Sequence, residues 1–121
     1  MSKNLSFFTS VELVRVPAEH IVYISAEGNY STIVMADGSK YLLTMQLGQV
    51  ERSVSEMLVS DDQFVRIGKS LIINCDYITY IHPSRQKLIL SDCRTFRNEV
   101  SASRESLKAL KEFIERRSAD E

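Results

Sequence analysis

Catalysis in a chain of this size would rest on few side chains, because its histidines are His20 and His82 and its cysteines Cys75 and Cys93. A general base or a Cys–His nucleophile needs a partner held within hydrogen-bond reach. His20 falls in a predicted turn before a strand and His82 directly precedes Pro83, which is ordinary turn chemistry, and there is no Gly-x-Ser-x-Gly elbow. Two Cys and two His could in principle complete a tetrahedral zinc site. Positions 20, 75, 82 and 93, however, lack the close ligand pairs of structural zinc sites, so no metal and no cofactor is expected. Ile67-Gly68-Lys69-Ser70 carries the Gly-Lys-Ser triplet of a phosphate-binding loop without a glycine five residues before Gly68. The expectation is a protein with no enzymatic activity.

Binding chemistry is better represented. The segment Phe64-Val65-Arg66-Ile67-Gly68-Lys69-Ser70-Leu71-Ile72-Ile73-Asn74 sets two cations and a hydroxyl, on Arg66, Lys69 and Ser70, between apolar residues that must anchor in a core. Such a layout can hold phosphate-binding and base-reading groups at fixed positions, although a solvated edge strand accounts for it equally well. The net charge of −1 speaks against a nucleic-acid surface, but the average hides an asymmetry. Residues 1–62 carry four basic and eight acidic side chains, a balance of −4, and residues 63–121 carry eleven and eight, a balance of +3. A chain with one acidic and one basic half can present a positive face, and on charge alone a mixed solvated surface is the simpler account.

The elements that must position these groups are legible from periodicity. Apolar and β-branched residues alternate with polar ones over Glu12–Val16, Ile21–Ser25, Tyr30–Met35 and Ser39–Leu43, which predicts strands. They are joined at Gly28-Asn29, where either residue can take a positive φ, and at Asp37-Gly38, which suits a two-residue hairpin turn. Leu47, Val50, Val54, Met57 and Leu58 then recur at helical spacing, with Thr44 available as a cap. Strand character resumes over Phe64–Ile67, Leu71–Ile73, Tyr77–Ile81, Lys87–Leu90 and Thr95–Arg97. Leu107, Leu110, Phe113 and Ile114 mark a second amphipathic helix capped by Ser103, with Glu105 in its first turn.

The 121 residues and 44% hydrophobic content fit one globular domain with a single core, spanning 11–116. Residues 1–10 are expected to form a flexible N-terminal segment and 117–121 a fraying tail. Met1 to Ser10 lacks a basic start followed by a long apolar run, which argues against a secretory leader, and no stretch has the apolar length of a membrane span. Two cysteines without a pairing pattern suit a reducing cytoplasm, and no disulfide is expected.

Three blocks taken together resemble the LytTR family of DNA-binding domains, from about Val14 to Phe113. They are Ile21-Val22-Tyr23-Ile24-Ser25-Ala26-Glu27-Gly28-Asn29-Tyr30, then Phe64-Val65-Arg66 through Lys69-Ser70 to Ile73-Asn74, then Ser103-Arg104 leading into Leu107-Lys108 and Leu110-Lys111. The resemblance implies an elongated, mainly β fold of mostly antiparallel strands with two short helices. It also implies a bacterial transcription regulator that binds double-stranded DNA through loops at the sheet edge rather than a recognition helix. Carried over by position, base reading falls to Asn29, Tyr30 and Ser31, to Lys69 and to Arg104, with Arg66 and Ser70 given to phosphates or loop support. Many family members have His where this chain has Gly68, so any contact from that side chain is missing. Members often carry a receiver domain first, for which these residues leave no room. The partner expected is duplex DNA, bound by two copies on repeated half-sites. The rival reading is a β-rich interaction module of a signalling complex whose basic loops meet an acidic partner.

Overall fold

A computed structural model of the chain describes residues 3–58 and 62–119. Its first strand, β1 (Asn4–Phe8), pairs antiparallel with β2 (Leu13–Pro17), Leu5 opposite Val16 and Phe7 opposite Val14. Side chains alternate across a strand, so these four share a face, and all four are buried. The expectation of a flexible 1–10 segment is thereby corrected. Leu5 and Phe7 alternate with Asn4, Ser6 and Phe8, and the ladder to β2 holds them in the core.

A single turn of 3-10 helix at Ala18–His20 leads into a five-stranded antiparallel sheet. Its members are β3 (Ile21–Glu27), β4 (Tyr30–Met35), β5 (Lys40–Leu43), β6 (Phe64–Ile67) and β7 (Leu71–Asn74), in the spatial order β5-β4-β3-β7-β6. Helix α1 (Leu47–Met57) packs on β1, β3 and β4 and buries Leu47, Val50 and Val54, the stripe its sequence spacing demands. Ile24, Ile33, Leu43 and Ile72 from the sheet complete the core with Leu5 and Phe7. The cap of α1 is Gln46 rather than Thr44, and the Gln46 N–H donates to Gln49 Oε1 at 3.4 Å. The Thr44 hydroxyl is engaged elsewhere, donating to Glu12 Oε1 at 3.0 Å. The β4–β5 turn is longer than a two-residue hairpin, since Met35 N–H donates to the Ser39 carbonyl at 2.8 Å around Ala36, Asp37 and Gly38.

The chain divides into two compact units, residues 1–76 and 77–121. The reason lies in strand pairing, because the strands after residue 77, β8 (Ile78–His82), β9 (Lys87–Ser91) and β10 (Arg97–Ser101), form a three-stranded antiparallel sheet of their own in the order β10-β9-β8. The expected strand over Thr95–Arg97 begins only at its last residue. Residues 92–96 are instead a hairpin loop in which the Asp92 carboxylate accepts the N–H groups of Arg94, Thr95 and Phe96. Helix α2 (Arg104–Ala119) buries Leu107 and Leu110 and packs on β8 and on the 3-10 turn at Pro83–Arg85. Ser103 caps it as its sequence indicates, accepting the Ser106 N–H at 3.1 Å. The helix continues through residues expected to fray, to Ala119, and residues 120–121 of the expected tail lie outside the described residues. Cys75 is buried, Cys93 is exposed, and neither is in a disulfide.

Candidate nucleic-acid interface

The register of the five-stranded sheet gathers three connections at one end. Glu27 pairs with Tyr30 across the turn Gly28-Asn29, and Ser25 on the same strand pairs with Leu71, which follows the turn Gly68-Lys69-Ser70. Ser31 pairs with Leu43, so residues 44–46 leave the sheet at that end too and enter α1. The first two turns are tied directly, the Ala26 N–H donating to the Ser70 carbonyl at 2.8 Å. Both reversals need the left-handed backbone that glycine adopts without strain, with φ of 64° at Gly28 and 59° at Gly68. Gly68 thus has a conformational reason for its residue type.

Asn29, Tyr30, Lys69 and Ser70 are exposed here, Tyr30 to 46%, which places its ring on the surface rather than in the core. Asn29 is not among the positive-φ residues, so its side chain rather than its backbone distinguishes it. Its Oδ1 accepts from Gln46 Nε2 at 3.1 Å, which orients the carboxamide. Gln46 carried no sequence signal for this role, since its contact spans 17 positions and two elements.

Two of the expected site residues are engaged by partners within the unit. Ser31 is fully buried, and its hydroxyl donates to the Met45 carbonyl at 2.7 Å, so it secures the chain between β5 and α1 and offers no surface to a base. Arg66 is half-buried and spends its planar fork inside the unit. Nη1 lies 3.0 Å from Glu51 Oε1 on α1 and Nη2 donates to the Lys69 carbonyl at 3.0 Å. It supports the 68–70 turn from beneath. Arg52, which the sequence did not mark out, brings a second guanidinium to the same face. A Cβ at Gly48 would lie 3.7 Å from Arg66 Nη1 and 3.9 Å from Arg52 Nη1.

Asn74, read from sequence as turn-forming, is fully buried. Its Nδ2 donates to the Ile21 carbonyl at 2.7 Å and its Oδ1 accepts the Asp76 N–H at 3.0 Å, which clamps the end of β7 to the start of β3. In the second unit Arg104 is exposed in the first turn of α2. Arg94 lies within the 92–96 loop and Arg97 lies 3.8 Å from Glu99 Oε1, which suits charged strand ends. Among the described residues no group of three His, Cys, Asp or Glu could hold a metal ion, and no helix is long and apolar enough to cross a membrane.

These turns, the paired sheets and the two helices can be set beside known proteins. A search of curated proteins finds no match. Among solved structures, the chain is similar to the LytTr DNA-binding domain of a protein described as a methyl-accepting/DNA response regulator from Bacillus cereus. The TM-score is 0.60 at 20% identity, over 92% of this chain and 95% of that one, and it establishes a common fold of antiparallel strands with two helices. The family model described as the LytTr DNA-binding domain matches residues 11–115, and the chain belongs to that family.

Proposed function

We propose that this chain binds duplex DNA sequence-specifically as a cytoplasmic bacterial transcription regulator without enzymatic activity, and that turns rather than an inserted helix read the bases. Asn29, Tyr30 and Lys69 would do so from the end of the five-stranded sheet and Arg104 from the start of α2. Ser70 and Arg66 hold the 68–70 turn in place, and Ser31 fixes the neighbouring connection. The observation that carries this reading is the joining of the 28–29 and 68–70 turns by the Ala26–Ser70 hydrogen bond, with Lys69 exposed above an anchored Arg66. A lysine there reaches a base edge or a phosphate, and an arginine can meet guanine O6 and N7 with both prongs of its fork. Two copies on repeated half-sites would enlarge a surface that is small in one copy.

A second reading, an interaction module for another protein, is favoured by Phe8, Val11 and Leu13, which are 71%, 74% and 59% exposed around the β1–β2 hairpin. Selection of binding sites from random duplexes decides between them. Enrichment of a repeated motif is expected. On the selected site Arg104→Ala should cost about 1–3 kcal/mol and relax preference at one base pair, with Arg104→Lys recovering only part of the loss. No enrichment above random duplex would refute the DNA reading and favour the module.

A further inference from the structure

The second unit contains a cleft of about 490 Å³ lined by Ile81, His82, Pro83, Ser84, Arg104, Lys108 and Lys111. Its cations follow from helical spacing. Residues 104, 108 and 111 lie at i, i+4 and i+7, hence on one face of α2 and spread over about 10 Å of its axis. Glu105 and Glu112 fall about 80–100° around the helix from that face. Glu115 shares it and binds Lys111 Nζ at 2.7 Å, which leaves Arg104 and Lys108 without an acidic partner among the described residues.

The opposite wall carries an imidazole. His82 Nδ1 accepts the Arg85 N–H at 3.3 Å and lies 3.2 Å from Ser84 Oγ, which leaves Nε2 as the ring's donor. Pro83 fixes the backbone of this turn and Gln86 closes it in the left-handed region at φ 54°. That donor therefore stands on a rigid turn facing a helix. Two ammonium groups and an imidazole N–H lining one concavity beside a guanidinium ask for more acceptor oxygens than the two of a carboxylate. A tetrahedral phosphate has them.

We propose that this cleft between α2 and the Pro83–Arg85 turn is a phosphate-binding site, contributed by Lys108, Lys111 and His82, with the base-reading Arg104 beside them. Phosphate chemistry reaches a protein either as a nucleic-acid backbone or as a free phosphate group. The backbone source rests on the DNA-binding reading above, and the free source does not. Cations spread over about 10 Å would span roughly three nucleotides of one strand at 3.4 Å each along the axis.

Two measurements on the full chain and on Lys108→Ala/Lys111→Ala test it, both side chains being exposed. Inorganic phosphate, titrated against chloride at constant ionic strength, should move the amide signals of residues 81–84 and 104–111 and saturate, with affinity reduced at least fivefold in the variant. Binding of the selected duplex should lose salt dependence in the variant, its logarithmic slope becoming shallower by about 1.8 for two phosphates. Between 50 and 200 mM salt that is roughly tenfold less loss of affinity, with base preference unchanged. Saturation by phosphate with an unaltered slope assigns the cleft to a free phosphate ligand, and a shallower slope without saturation assigns it to the DNA backbone. If the unaltered chain binds no duplex yet phosphate saturates the cleft, the DNA reading fails and the site stands. Unmoved amides together with an unchanged slope would overturn the proposal.

Discussion

Arg66 on β6 and Glu51 on α1 meet at 3.0 Å, and the same guanidinium donates to the Lys69 carbonyl at 3.0 Å. One side chain thus couples the helix to the turn that displays Lys69. A phosphate-contacting arginine and a scaffolding arginine differ in salt dependence, because only the first releases counterions. Arg66→Ala is expected to weaken DNA binding through a loosened turn while leaving the logarithmic salt slope unchanged. A slope shallower by about 0.9 would show that Arg66 touches phosphate. Glu51→Gln, which breaks a partly exposed ion pair, should cost no more than about 1 kcal/mol in chemical denaturation.

Lys69→Ala should weaken binding uniformly across sequences and make the salt slope shallower by about one if the ammonium meets phosphate. Loss confined to the selected site would assign it to a base edge instead. Competition between selected and unrelated duplexes at two salt concentrations distinguishes the outcomes.

Ser31→Ala removes the donor to the Met45 carbonyl from a fully buried position. Leaving a buried group unsatisfied costs about 1–3 kcal/mol, so denaturant unfolding should show that loss. Base preference of the folded variant should not change, since the hydroxyl never reaches the surface. An altered preference would mean that the side chain takes part in readout.

Phe7→Ala tests the N-terminal strand. The ring is 1% exposed and lies in the core with α1, so its truncation should destabilise the protein by about 3–5 kcal/mol. Unchanged thermal unfolding would mean that β1 detaches freely from the sheet.

The Asp92 carboxyl is held well below the usual carboxylate range, first by the hydrogen bond from the Thr95 hydroxyl and then by the backbone N–H groups of Thr95, Arg94 and Phe96. Its folded pKa is depressed, so the stability it contributes is present above the ordinary value of 3.8 and is lost as pH falls from there through the folded value. In a carboxyl-carbon NMR titration Asp92 should stay ionised below pH 3.8 in the native protein, and Thr95→Val should move its midpoint upward. A midpoint at 3.8 in the unaltered chain would contradict the loop geometry.

Local pattern determined much of this protein. Alternation over Tyr30–Met35, the stripe Leu47, Val50, Val54 and the cap Ser103 each depend on neighbours within a turn or a strand, where side-chain period fixes the buried face. The turn at Gly28 and the cation at Lys69 were legible for the same reason, and the family resemblance rested on those short blocks. What escaped the sequence depends on partners far along the chain. Nothing local to Asn4–Phe8 says that β2 will pair with it. Nothing local to Ser31 reveals the Met45 carbonyl 14 positions on, and Arg66 carries no mark of Glu51, 15 positions before it. A serine or an arginine between apolar residues has the same spelling whether it faces DNA or the interior. Only the tertiary fold brings its partner within hydrogen-bond reach, and that partner decides whether the group is offered to a ligand or consumed in holding the turns that are.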